Sequence, residues 1–168
     1  MKQIGLLSDT HGVLLPFVIR ALNDVDEIWH AGDIGNIVVY DQLRRMKPLR
    51  AVYGNIDGWP LRSQCPQYLS FEIEDMKVLM IHQAGSPRKY SGTCRKLILS
   101  ERPNLLIGGH SHILKVMHDS SNNLLFLNPG AAGLEGIHKV ITLLRFSLDK
   151  GEVMNMEIIE TDRSTVRI

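Results

Sequence analysis

The sequence is short of cysteine, of surplus charge and of long apolar runs. Only two cysteines, Cys65 and Cys94, occur among 168 residues, and they form no CxxC pair. That pattern argues against a disulfide framework or a cysteine-built metal site, and makes a reducing cytoplasm the expected location. Lys and Arg number 19 against 18 Asp and Glu, a formal net charge of +1. Nucleic-acid-binding domains carry a strong basic bias or a basic stripe. The densest basic cluster here, Arg44, Arg45, Lys47 and Arg50, is diluted by Met46, Pro48 and Leu49 and reads as a solvated helix end. No nucleic-acid polymer is therefore expected as a partner. No stretch approaches the ~18 apolar residues of a membrane helix, so no membrane partner is expected either. The opening run Ile4 to Leu7 is too short for a signal peptide. Repeats, low-complexity tracts and linkers are missing too, so residues 1–168 read as one domain.

What is present suits a packed core: 44% hydrophobic residues against 22% charged. The first third alternates short apolar runs with amphipathic stretches. Strands are predicted at Lys2 to Ser8, Glu27 to His30 and Leu49 to Tyr53, with helices from Pro16 and over Ile37 to Met46. A β-α-β-α-β order signals a parallel sheet. A hairpin follows at Tyr68 to Ile73 and Lys77 to Ile81, then a helix within Lys89 to Glu101 and a short strand at Leu105 to Gly108. The remainder reads as strands: Leu114 to His118, Leu124 to Leu127, Val140 to Phe146 and Val153 to Ile159. Two sheets packed face to face, with helices outside, satisfy that order. The last strand is a candidate edge for pairing with a second copy, so a homo-oligomer stays open.

The metal-binding residue types collect at strand ends. Asp9 and His11 follow the first strand, Asp33 the second, Asn55 and Asp57 the third. His82 closes the hairpin, and His110 and His112 follow the strand at Leu105. In open α/β sheets, ligands bind at the carboxyl ends of strands, so these loops should share one crevice. Each motif alone has an ordinary reading: Asp9 as a helix cap, Gly54-Asn55 as a turn, His82 as a core histidine. Their joint order carries the inference. Without cysteine, a closed structural zinc site is disfavoured, and mixed O/N ligands suit Mn, Fe, Zn or Ni. Seven ligands exceed the needs of one open catalytic ion and suffice for two if one carboxylate bridges. Asp57 is a candidate acceptor orienting a ligand histidine. Arg88 and Lys89, in the loop after His82, are candidates to meet substrate phosphate. His30, His118 and His138 read as structural.

Asp9-x-His11, Gly32-Asp33, Gly54-Asn55-x-Asp57, His82 and Gly109-His110-x-His112 together resemble the motifs of the calcineurin-like metallophosphoesterases. The short length and Trp29-His30-Ala31-Gly32-Asp33 resemble the small prokaryotic phosphodiesterase branch. The resemblance implies a four-layer α/β/β/α sandwich of two mixed sheets flanked by helices. It implies two divalent ions, manganese foremost, with iron, nickel or zinc as alternatives. Asp9, His11, Asp33 and His112 would hold one ion; Asp33, Asn55, His82 and His110 the other. The implied activity is hydrolysis of a small phosphodiester by a hydroxide activated between the ions, with Asn55 and His110 also orienting the phosphate. Two departures stand out. Ile56 occupies the place where many members have a leaving-group histidine, which favours diesters with acidic leaving groups over monoesters. Gln83 follows His82 where glycine is usual. A protein-interaction scaffold on the same fold is the alternative.

Overall fold

The computed structural model describes residues 1–166. Twelve strands and four helices follow the alternating order of the sequence. β1 (Lys2–Leu7), α1 (Pro16–Ala21), β2 (Glu27–His30), α2 (Ile37–Met46) and β3 (Leu49–Ala51) open the chain. A short helix α3 (Leu61–Gln64) leads to the hairpin β4 (Tyr68–Ile73) and β5 (Met76–Ile81). Two-residue strands β6 (Gly85–Ser86) and β7 (Lys89–Tyr90) precede α4 (Gly92–Glu101) and β8 (Leu105–Ile107). β9 (Leu114–Asp119), β10 (Leu124–Pro129), β11 (Val140–Asp149) and β12 (Glu152–Asp162) complete it. No helix among the described residues is long and apolar enough to cross a membrane.

The strands form two mixed five-stranded sheets, ordered β12-β11-β1-β2-β3 and β4-β5-β8-β10-β9. β1, β2 and β3 run parallel, as do β5, β8 and β10; β11, β12, β4 and β9 pair antiparallel. Side chains alternate across a strand, so each buried strand feeds two cores. Leu7 and Ile28 point out toward α1 and α2, joining Val18, Leu22, Val39 and Leu43. Ile4, Leu6 and Trp29 point inward and meet Val78, Met80, Leu105 and Ile107 of the facing sheet. Leu79, Ile81 and Leu106 point away from that seam and are covered by Cys94 and Ile98 of α4. Three cores between four layers give the expected α/β/β/α sandwich. Burial pushes both thiols, Cys65 and Cys94, up to about 12, so they pack as small apolar groups.

Local chemistry sets the element ends. Asn36 caps α2 by accepting the Val39 N–H at 3.0 Å, and Ser91 caps α4 by accepting that of Cys94 at 3.2 Å. Glu74 and Asp75 both take positive φ, 49° and 62°, making the two-residue turn of β4–β5 tighter than the three-residue turn expected. β3 stops before Tyr53 because β2 ends at His30; the Tyr53 N–H turns instead to Pro66 O at 3.0 Å. At the sheet–sheet seam, Glu27 is buried but accepts from Trp29 Nε1 at 2.9 Å and pairs with Arg50.

Candidate metal centre

Every predicted metal ligand lies just beyond a strand of the two parallel cores. The loops after β1 and β2 are zipped together: Asp9 N–H donates to Gly32 O at 3.0 Å, and His11 N–H to Asp33 O at 3.0 Å. Five of the candidate ligands take left-handed backbone: Asp9, His11, Asp33, His110 and His112 have φ of 55°, 46°, 53°, 68° and 59°. Such conformations are unfavourable for non-glycine residues and cluster where surroundings force a side chain to a fixed place. The neighbouring glycines are required by contact. A Cβ on Gly54 would sit 2.0 Å from Asp33 Oδ1, and one on Gly32 2.6 Å from His82 Nδ1. The Gly-Asp and Gly-Asn motifs therefore let two loops close on each other's ligands.

The side chains converge in two groups, Asp9–His11–His112 and Asp33–His82–His110. In the first, His112 Nε2 lies 3.1 Å and His11 Nε2 3.7 Å from Asp9 Oδ1. In the second, His82 Nε2 lies 3.2 Å from Asp33 Oδ2 and 3.1 Å from Asn55 Oδ1. Asp33 Oδ2 is also 3.6 Å from His11 Nε2, so one carboxylate oxygen faces both groups. Spacings near 3 Å are the edges of a coordination polyhedron with bonds of about 2.1 Å.

Hydrogen bonding shows which atoms are left for an ion. Asp9 Oδ2 accepts from Ser8 Oγ at 2.6 Å and from the His110 N–H at 3.1 Å. Its other oxygen, Oδ1, is buried without a partner, and so is His11 Nε2. Buried polar atoms left unmatched call for an explanation. A cation between them supplies one, and the O/N donor set fits a divalent transition metal. His82 Nδ1 donates to Ala31 O at 2.8 Å, which turns Nε2 toward the centre. Burial works against an ionised Asp9, yet His11, His112, His82 and Ser8 hold its carboxyl well below the usual range. The Asp9 carboxylate in turn raises His11, and the Asp33 carboxylate raises His82 against the lowering effect of burial. A metal ion held here would compete with protons for these rings.

Asp57 is buried, but it touches no ligand histidine among the described hydrogen bonds. Its carboxylate accepts the N–H groups of Ile34 at 3.0 Å, Gly35 at 2.8 Å and Gly54 at 2.8 Å. It ties the Asp33 loop to the Asn55 loop and orients backbone rather than an imidazole. Arg88 also departs from expectation. It sits at the β6–β7 turn with φ of 72° and lines a separate cavity with Arg95 and Asp119. Its neighbour Lys89 points the opposite way, into a cavity beside His110.

The guanidinium beside Asn55 and His82 is instead that of Arg62, in a cavity of about 270 Å³ that also includes Gln83. Arg62 stacks over Tyr53 at 4.5 Å and donates through Nε to Asp57 O. Nothing in the spacing around Arg62 announced it, because α3 is a single short turn. His138, which the sequence reads as structural, donates to Gly133 O at 2.9 Å and packs its ring edge-on against His112 at 5.1 Å. Ile56 is 48% exposed and directs only its backbone N–H, at 3.1 Å, to Asp33, so it offers no proton donor.

The profile of the calcineurin-like phosphoesterase superfamily domain matches residues 1–151. The chain belongs to that family. A probable metallophosphoesterase of Methanothermobacter thermautotrophicus is 31% identical over 172 residues, covering 98% of this chain and 95% of that protein. Among solved structures, an archaeal phosphodiesterase superposes with a TM-score of 0.73 at 24% identity, covering 93% of this chain and 99% of its own. Vps29 of Entamoeba histolytica complexed with Zn²⁺ superposes at 0.72 with 17% identity, covering 96% and 99%. Those two likenesses establish the fold. The family match makes the protein a hydrolase of the metallophosphoesterase type, a class that works with divalent metal ions.

Proposed function

We propose that this protein hydrolyses a small phosphodiester at a dinuclear metal centre. The observation that carries the reading is Asp33 Oδ2, set between two ligand groups at 3.6 Å and 3.2 Å. Asp9, His11, Asp33 and His112 would hold one ion, and Asp33, Asn55, His82 and His110 the other. Two such ions lower the pKa of bound water and neutralise charge that develops on a phosphoryl group. Manganese is the first choice of metal, with iron, nickel and zinc as alternatives.

The chain's own residues do the rest. Asn55 and His110 border the centre and orient the phosphate. Arg62, held by Tyr53 and Asp57 O, presents a preorganised guanidinium on the Asn55 side, where two-pronged contact with phosphate oxygens is favourable. In the reaction, water oxygen bonds to phosphorus and the P–O bond to one arm breaks. With Ile56 supplying no general acid, the leaving group departs as its anion. General acid catalysis is worth about 10²–10⁴-fold, so acidic leaving groups are favoured. The protein-interaction scaffold remains the second reading, supported by exposed Ile56 and Trp59 close to the Asn55 loop.

Metal-stripped protein given bis(p-nitrophenyl) phosphate or p-nitrophenyl phosphate, with and without Mn²⁺, tests the proposal. Mn²⁺-dependent turnover that is faster on the diester is the expected result. No turnover of either ester with Mn²⁺, Fe²⁺, Ni²⁺ or Zn²⁺ would favour the scaffold. Asp33→Asn should lose both turnover and bound metal; a variant retaining its metal content would refute the shared role of Asp33.

A further inference from the structure

Two cavities open beside the centre, and they differ in charge. The one reached past Asn55 and His82 has Arg62 as its only charged side chain apart from the ligand histidine, with neutral Gln67, Gln83, Ser91 and Thr93 around it. The other, of about 240 Å³, opens beside His110 and is lined by both Lys89 and Lys115. Its lining holds no carboxylate. Among the described residues, neither lysine forms an ion pair. Two like charges therefore share one small concavity in a protein whose net charge is only +1.

The lysines are held by linked elements. Lys89 lies on β7 and Lys115 on β9. Tyr90 Oη donates to Asp119 Oδ2 at 2.8 Å, which fastens β7 to the end of β9. That carboxylate is occupied further by Ser121 N–H at 3.0 Å and Asn122 Nδ2 at 2.7 Å, so it does not neutralise the lysines. Ser111 adds a donor. Its Oγ accepts from Asn128 Nδ2 at 3.1 Å and from the Ile113 N–H at 3.2 Å, leaving its own proton to give. Ser86 lines the same space. The cavity offers ammonium and hydroxyl donors and no acidic acceptor, the chemistry that suits a group with several anionic oxygens.

We propose that this cavity binds a second phosphate on the substrate, so that the protein prefers phosphodiesters carrying a further phosphate on one arm. The inference rests on the phosphodiesterase reading above, since it places the scissile phosphate at the metal centre. The extra phosphate then lies past His110, and the other arm lies along Arg62.

Two chromogenic diesters test it with the Mn²⁺-loaded protein: thymidine 5′-(p-nitrophenyl phosphate) and the same compound phosphorylated at its 3′ oxygen. The 3′-phosphorylated probe should have the higher kcat/KM by about 10-fold to 100-fold, the range of a charge-assisted hydrogen bond. In Lys89→Gln/Lys115→Gln that ratio should fall to about one, and added salt should shrink it in the parent protein. Equal kcat/KM for the two probes overturns the inference, as does a preference that survives the double substitution. If the double variant fails to fold, Lys89→Gln alone, at an exposed position, must still lower the ratio. If neither probe turns over with Mn²⁺, Fe²⁺, Ni²⁺ or Zn²⁺, the phosphodiesterase reading fails. Calorimetric affinities for thymidine 3′,5′-bisphosphate and thymidine 5′-phosphate then decide the cavity separately: tighter binding of the bisphosphate, abolished by the double substitution, upholds it, and equal affinities overturn it.

Discussion

Replacing Asp57 by alanine removes the acceptor of three backbone N–H groups at once. Those of Ile34 and Gly54 are buried, at 3.0 and 2.8 Å, and that of Gly35 is part-buried at 2.8 Å. Hydrogen bonds to charged groups contribute about 1.5–3 kcal/mol each, and leaving a buried donor unmatched costs about as much. The three share one carboxylate and relax together, so their effects do not add fully. A loss of about 3–5 kcal/mol follows, a large part of the 5–15 kcal/mol that typically stabilises a domain. Asp57→Asn keeps one acceptor oxygen and should lose about half as much. Urea unfolding of the metal-free protein, followed by the emission of buried Trp29, measures this without interference from bound ions. The metal-free state matters. A residue acting on a histidine or on substrate would slow turnover and leave metal-free stability alone. An Asp57→Ala unfolding free energy within about 1 kcal/mol of the parent, at unchanged denaturant slope, would refute the loop-tying role.

Other outcomes follow from the same geometry. His30 is fully buried: its Nδ1 accepts the Gly32 N–H at 3.2 Å and its Nε2 lies 2.9 Å from Thr10 Oγ1, and burial lowers its pKa from 6.5 to about 4. The unfolded chain binds the extra proton first, so stability is intact above pH 6.5 and is lost as pH falls from there toward about 4. The loss should reach about 3 kcal/mol in pH-dependent unfolding and disappear in a His30→Gln background. Gly54→Ala would place a methyl 2.0 Å from Asp33 Oδ1 and should reduce the metal retained on gel filtration while the protein stays folded. Arg62→Ala should lower kcat/KM on bis(p-nitrophenyl) phosphate by about 10-fold or more, whereas Arg88→Ala should stay within about twofold, since only Arg62 lies beside Asn55. The reverse order would restore Arg88 to the substrate.

The order of strand and helix stretches was compatible with two facing sheets flanked by helices, and the family resemblance supplied the four-layer sandwich. Alternation of Val78, Leu79, Met80 and Ile81 is legible as two buried faces, and the structure sends alternate members to the seam and to α4. The strand-end positions of Asp9, Asp33, His82 and His110 were legible for a related reason. Strand ends are marked by local breaks in hydrophobicity, and parallel topology brings those ends to one edge. Short elements were not legible. α3 spans four residues and β6 and β7 two each, too few to show a period.

What the sequence by itself determined was therefore the order of strands and helices and the set of residue types able to meet at one edge. Tertiary structure decided which side chain faces which space. Arg88 and Lys89 are adjacent in sequence, but Arg88 sits in the β6–β7 turn at φ 72° and Lys89 opens β7, so one lines the cavity with Asp119 and the other the cavity beside His110. Asp57 took its role from the Ile34 and Gly35 N–H groups of another loop, contacts that no spacing rule encodes, and Arg62 is held within its own segment by Asp57 O and the Tyr53 ring. The unmatched Asp9 Oδ1 and His11 Nε2 arise only where loops separated by up to a hundred residues close on one point. Local sequence sets periodicity and backbone preference; the direction of a loop side chain is set by packing against distant partners.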